Sequence, residues 1–328
     1  MRRAIYRVLL TLVVGALVAA GAAYFYVQHR LNVPGPLTAA QTVVVPRGTS
    51  SAEIAALLKR QGIIDDALLF RLALRIGTDR RPLRAGEYEF PAGTAIVGAI
   101  ELMRSGRTVV RRFTVAEGLT VAEVLRLVRA VDGLEGEITL RPSEGTLLPE
   151  TYHYSLGDSR DSVVQRMRQA MTEVLDAAWE KRQPNLPLAS KQEALILASI
   201  VEKETGVAAE RRRVAAVFVN RLRRGMRLES DPTIIYGITR GAGPLDRALT
   251  RTDVQTPTDY NTYAIPALPP GPIANPGRAS IEATLDPIAS RELFFVADGT
   301  GGHAFAETLE QHNRNVANWR RFQREQRR

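Results

Sequence analysis

Glu202 and Glu204 are the residues of this chain whose type and position most directly imply chemistry. They lie in the run Ala198-Ser-Ile-Val-Glu-Lys-Glu-Thr-Gly206, at the C-terminal end of an otherwise apolar segment. A helix is predicted there. Ser190 followed three residues later by Glu193 reads as a capping box, and Ala194, Leu195, Leu197, Ala198 and Val201 recur at helical spacing. Gly206 reads as the stop. A second helix follows, with Val214, Val217, Phe218 and Leu222 on one face and Gly225 just past its end, so the acids fall at the corner of an αα-hairpin. A carboxylate there meets the negative end of the helix dipole and partial burial. Both favour the protonated form that a general acid needs near neutral pH. The competing reading is that both acids are solvated and pair with Lys203, Arg211, Arg212 or Arg213. Successive helical residues turn by about 100°, so the wheel places the two acids at similar offsets from the apolar stripe and does not choose between them.

Other chemistries lack their residues. There is no Gly-x-Ser-x-Gly elbow, no His-Glu-x-x-His, no phosphate-cradling loop and no dinucleotide fingerprint with its following acid. His29, His153, His303 and His312 do not have metal-ligand spacing, and without cysteine there is no thiol nucleophile, thiolate metal site or disulfide scaffold. Neither a metal nor a cofactor is expected, which leaves carboxylate chemistry. The net charge of +9 invites a nucleic-acid partner, but arginine is spread along the whole chain and aromatics are only 6% of it, so none is expected. An anionic cell-wall polymer or lipid surface suits the same charge.

The elements that must position the acids follow from pattern. Val8 to Gln28 carries no charged residue and is long enough to cross a bilayer as a helix. Arg2, Arg3 and Arg7 precede it, which keeps the N-terminus cytoplasmic and sends the rest across the membrane. A cleaved signal peptide is the alternative, given the small residues around Ala20-Gly-Ala22. Asn32-Val-Pro-Gly-Pro-Leu reads as a short stiff spacer. Three segments then share one grammar of strand, glycine turn and Ser/Thr-led helix start: Val45 to Ile54, Phe90 to Ala99 and Val115 to Val124. A long helix is predicted over Ser162 to Lys181, turn-rich chain up to Gly277, and a short buried strand over Phe294 to Ala297. The fold class is α+β. The expected organisation is an anchor over 1–32, a linker over 33–42, a small domain over 43–111, a connecting subdomain over 112–141 and a larger domain over 142–328.

The acid-bearing run resembles the signature of the endolytic murein transglycosylase family. The likeness continues through Val217 to Leu222, Ser230 to Gly237, Thr256-Pro-Thr-Asp-Tyr-Asn-Thr-Tyr263, Leu268 to Gly277 and Phe294 to His303, with Glu144 to Tyr152 resembling the entry to the catalytic domain. The family's members are membrane-anchored enzymes that cleave nascent peptidoglycan strands. The resemblance implies a single-pass inner-membrane protein with an extracytoplasmic catalytic domain over 142–328 and a divergent LysM-like glycan-binding module over 43–111. It also implies one indispensable acid, Glu204. That residue protonates the departing glycosidic oxygen and then accepts the proton of the N-acetylmuramic acid C6 hydroxyl, which closes a 1,6-anhydro ring. Glu202 is left a structural role. Asn261, Tyr263, Asn220, Asp231, Glu150, Tyr236 and His303 are the residues expected at the sugar. The implied partners are peptidoglycan glycan strands, the membrane and peptidoglycan synthases. Two other readings stay open: a non-catalytic peptidoglycan-binding scaffold, and a hydrolase pairing Glu204 with Asp231 or Glu150.

Overall fold

The structure is a computed structural model describing residues 2–326. The chain divides into two compact units: residues up to Arg111 with Ser155–Gly157, and Arg112–Tyr154 with Asp158 onward.

The first unit begins with α1 (Arg2–Asn32) and continues through β1 (Gln41–Val45), α2 (Ser51–Arg60), α3 (Ala67–Ile76), β2 (Gly86–Phe90) and α4 (Ile96–Ser105). β1 and β2 pair antiparallel, Gln41 opposite Phe90 and Val45 opposite Gly86. Ile54, Leu58, Phe70, Tyr88, Phe90 and Met103 fill the core beneath them. Along α1 the large apolar side chains from Val8 to Tyr26 are mostly exposed, as on a helix whose surroundings are not protein. Its last turn behaves differently. Leu31 is buried in the core and Arg30 pairs with Asp65 at 2.6 Å.

The 33–42 segment, read from its Pro-Gly-Pro composition as a short stiff spacer, packs against neighbouring chain of the first unit. Gly35 donates its N–H to Gly93, and a Cβ at Gly35 would collide with the carbonyl oxygens of Thr94 and Ile63. The segment lies flat against the first unit, and glycine is what permits the approach.

The three strand-turn-helix segments share their turns. Gly48, Gly93 and Gly118 all take positive φ, between 68° and 79°, a region open to glycine at no steric cost. Ser50 and Thr120 then form full capping boxes with Glu53 and Glu123. Ala95 cannot cap, and its helix start goes without a side-chain bond.

The second unit contains β3 (Arg111–Thr114), α5 (Val121–Ala130), β4 (Thr151–Tyr154), α6 (Arg160–Glu180), α7 (Lys191–Glu204), a 3-10 turn at Ala208–Glu210, α8 (Arg211–Arg223), α9 (Asp231–Thr239), α10 (Arg251–Gln255), α11 (Arg278–Leu285), the antiparallel pair β5 (Phe294–Ala297) and β6 (His303–Ala306), and α12 (Leu309–Gln326). β3 pairs with β4. Val124 and Val128 of α5 share one core with Leu147, Tyr152, Val163 and Met167.

α7 is the axis of the unit. Ala194 to Val201 are buried without interruption, and the helix packs on α6, α8, α9 and α11. Such all-round burial explains why its apolar stripe is wider than an amphipathic pattern requires. Thr205, extended at the C-cap, ends the helix one residue before Gly206. Where a turn-rich loop was expected, Asp231-Pro232 starts α9, with proline inside the first turn.

Candidate active site

The two acids of α7 leave opposite sides of the helix, as a separation of about 200° requires. Glu202 Oε2 accepts the N–H of Gly277 at 2.8 Å, which places a carboxylate at the start of α11. Glu117 crowds the same spot and faces Arg211 at 3.8 Å; a Cβ on Gly277 would overlap it. Burial first, then Glu202, raises the Glu117 carboxyl above its ordinary value. Glu150 adds to that negative group and is itself exposed, between the buried Pro149 and the half-buried Thr151. These three acids make one cluster, tied to the fold by Gly277 and Arg211.

Glu204, the last residue of α7, faces α9. Its Oε1 accepts the hydroxyl of Ser230 at 2.5 Å, while the residue keeps a partial opening to solvent. Burial of the carboxyl pushes it up to about 7. The Ser230 hydrogen bond opposes that shift, Asp231 reinforces it, and the charges of His303 and Arg221 oppose it. A carboxyl that carries its proton near neutral pH and retains access to solvent is equipped for general acid chemistry.

Ser230 is held from several sides. Its N–H donates to Thr262 Oγ1 at 2.9 Å, its carbonyl accepts from Thr233 Oγ1 at 2.6 Å, and the two threonine hydroxyls lie 2.9 Å apart. All three residues are buried. Glu229, just before, has φ of 52°, a left-handed conformation unusual for a residue with a side chain, and its carboxylate is bound by Arg221 at 3.0 Å. That turn delivers Ser230 to Glu204.

Asp231 and Tyr263 form the next pair: the Tyr263 hydroxyl donates to Asp231 Oδ1 at 2.8 Å. Burial, then this bond, raises the phenol far above its usual range. Asp231 is exposed, so the pair sits at the rim beside Glu204. His303, at the start of β6, bonds through Nδ1 to Glu210 at 2.7 Å.

Three residues expected at the sugar have other work. Asn261 is wholly buried; its amide donates to the carbonyls of Val254 and Thr256, and its oxygen accepts from Tyr263 N–H. Nothing of it remains for a ligand, because the turn that carries Thr262 and Tyr263 is built around it. Asn220 donates to the carbonyls of Ser290 and Glu292 and so ties the β5 approach to α8. The Tyr236 hydroxyl donates to the half-buried Glu144 at 3.2 Å, and its ring packs on Tyr260 at 4.8 Å. Tyr236 also lines a cavity of about 480 Å³, with Lys203, Pro232, Ile235 and Leu249. Sequence reasoning missed Ser230, Thr262, Glu210 and Arg221 as site residues. Ser230 before Asp-Pro carries an ordinary N-cap signal, and nothing local says that its hydroxyl serves another helix.

A model described as the YceG-like family matches residues 43–318. The chain belongs to the YceG-like family. Among relatives of this YceG-like chain, the endolytic murein transglycosylase of Bacillus subtilis (strain 168) is 28% identical over 302 residues, covering 82% of each protein. That of Streptococcus pneumoniae (strain ATCC BAA-255 / R6) is 27% identical over 353 residues and covers 92% of this chain; the chain spans 63% of that relative's length. The crystal structure of a YceG-like protein from Listeria monocytogenes superposes with a TM-score of 0.51 at 29% identity, over 84% of this chain and 99% of that one. Among the described residues, no group of three or more His, Cys, Asp or Glu could hold a metal ion.

Proposed function

We propose that this chain is an endolytic peptidoglycan transglycosylase in which Glu204 is the single acid and base. The observation that carries the reading is the placement of Glu204: a buried carboxyl raised to about 7, oriented by one serine hydroxyl, at the open end of a rigid helix. The named activity of the relatives supports it.

Protonated Glu204 donates to the glycosidic oxygen as the bond to the muramyl anomeric carbon breaks. The carboxylate so formed accepts the proton of the C6 hydroxyl as that oxygen attacks the same carbon. A 1,6-anhydro ring closes, and the acid returns to its starting form without water. Tyr263 and Asp231 offer hydroxyl and carboxylate groups at the rim for the sugar. A hydrolase using Asp231 as its second carboxylate is the other reading, favoured by that residue's exposure beside Glu204.

The exposed apolar length of α1, with arginines before it, supports a single-pass anchor in the inner membrane and an extracytoplasmic catalytic unit. In the first unit, strand, two helices and strand close an antiparallel pair, an order that supports a LysM-like module able to grip glycan. Tethering confines the acid to the zone where new strands emerge, where peptidoglycan synthases are the natural partners. Glu204→Gln tests the assignment. A folded variant that releases no anhydro-muropeptides from uncross-linked strands is expected; lysis at the wild-type rate would refute it.

A further inference from the structure

The first unit carries an apolar helix face that no described part of the chain covers. α3 is apolar on two sides. Phe70 and Ala73 are buried in the core, and Leu69 and Leu74 pack against it. On the other side Leu68, Leu72 and Ile76 are 73%, 39% and 51% exposed, spaced one turn apart. Arg71 and Arg75 lie exposed between them, so positions 68, 71, 72, 75 and 76 make one continuous face of leucine, isoleucine and arginine. A helix that is apolar all round belongs inside something, and here the protein supplies only half of the cover.

The cations on this face are unspent, because the acids at its ends are engaged elsewhere. Asp66 accepts the N–H groups of Leu68 and Leu69, Asp65 is paired with Arg30 at 2.6 Å, and Asp79 is paired with Arg81 at 2.8 Å. Arg71 and Arg75 form no ion pair among the described residues.

The place of α3 along the anchor says what the face meets. α3 packs on α1. The exposed run Tyr24, Phe25 and Tyr26 of α1 is the kind of aromatic belt that sits at the level of lipid headgroups, whereas Leu31 is already in the core of the first unit. Arg30, which holds Asp65 at the entrance to α3, is one turn past Tyr26, an axial rise of about 6 Å. The start of α3 is therefore fixed at headgroup depth, where leucine reaches the acyl boundary and arginine meets phosphate. A bilayer is the surface that α1 itself brings to this level.

We propose that the outer face of α3 docks on the anionic bilayer surface into which α1 inserts, as a second membrane contact that fixes the orientation of the first unit. A single spanning helix leaves the unit free to turn about the helix axis, and a lateral contact removes that freedom. Leu68, Leu72 and Ile76 enter the acyl boundary while Arg71 and Arg75 extend to lipid phosphates. The inference rests on the reading of α1 as an anchor and is independent of the chemistry of Glu204.

The chain has no cysteine, so single cysteines can carry nitroxide labels without background. Leu68→Cys, Leu72→Cys and Ile76→Cys are compared with Leu17→Cys on the exposed length of α1 and Glu89→Cys on the exposed side of β2. Each full chain is reconstituted in vesicles of equal parts phosphatidylcholine and phosphatidylglycerol, and electron paramagnetic resonance measures collisions with oxygen, which favours lipid, and with a water-soluble nickel chelate. The oxygen-to-nickel ratio at the three α3 positions is expected to stand roughly threefold or more above that at position 89. Arg71→Gln combined with Arg75→Gln, or vesicles of phosphatidylcholine alone, should lower the ratio at position 72 toward that reference. Water-like ratios at all three α3 positions, with position 17 in lipid, would overturn the proposal and leave the anchor standing. Labels shielded from both reagents would overturn it as well, since a second copy of the chain would then cover the face. Lipid contact along α3 with a water-like ratio at position 17 would instead refute the span and leave the docking face.

Discussion

Ser230 stands at the N-cap of α9 yet makes no capping bond there; its hydroxyl lies 2.5 Å from Glu204 Oε1 at the end of α7. A residue type that normally stabilises its own helix by about 1 kcal/mol has that bond diverted to the acid. Thr262 and Thr233 hold it in place, and both are buried.

Ser230→Ala removes the hydrogen bond that lowers the Glu204 pKa, so the basic limb of activity should shift to higher pH. Hydrogen bonds to charged groups are worth about 1.5–3 kcal/mol, so turnover near neutral pH should fall roughly ten- to hundredfold. Melting temperature should change little. A pH-rate profile of this variant checks both, and an unmoved limb would contradict the role.

Asp231→Asn acts in the opposite sense. It removes a negative charge that raises Glu204, so the midpoint should move down and activity should be lost earlier as pH rises. Opposite shifts in Asp231→Asn and Ser230→Ala, measured on one substrate, separate electrostatics from simple damage.

The raised acid is a liability to the fold. Its folded-state pKa of about 7 lies above the ordinary 4.5, so the stability linked to Glu204 is fully present below pH 4.5 and is lost as pH rises through 7. Glu204→Gln has no such loss. Discounted for partial solvent access, the variant should be more stable than wild type by between about 1 and 3 kcal/mol at pH 8, with the difference shrinking to under about 1 kcal/mol by pH 5. Thermal unfolding at the two pH values measures it; a constant offset would contradict the linkage.

Asn261→Ala should behave as a fold mutation. It leaves the carbonyls of Val254 and Thr256 and the N–H of Tyr263 without their partner, at a cost of about 1–3 kcal/mol each where burial is complete. Melting temperature should drop by several degrees, and the residual folded enzyme should keep its KM. An unchanged melting temperature with a raised KM would return Asn261 to the sugar.

What the sequence disclosed and what it hid divide along physical lines. The helix carrying the acids, its Ser190 cap and the three glycine turns were legible because their causes are local: a hydroxyl three residues from a carboxylate, a backbone that only glycine adopts freely, an apolar run. α9 was hidden because Asp-Pro opens turns and helices alike. The docked 33–42 segment and the shared core of α5 and α6 depend on neighbours distant in sequence. The site divides the same way. Glu202 and Glu204 stood out together as acids in an apolar context, and the family resemblance, not the local pattern, pointed to Glu204. Asn261 and Asn220 have the amides a sugar needs, but local pattern does not show that backbone carbonyls consume them.

The central claim is that Glu204 alone, without water, cuts the glycan. The direct measurement is mass spectrometry of products formed by the full chain in oxygen-18 water from uncross-linked nascent strands. Ring closure by the C6 hydroxyl predicts anhydro-muramyl ends, lighter by one water than reducing ends and free of label. Reducing ends carrying oxygen-18 would contradict the account and make Asp231 the second carboxylate of a hydrolase.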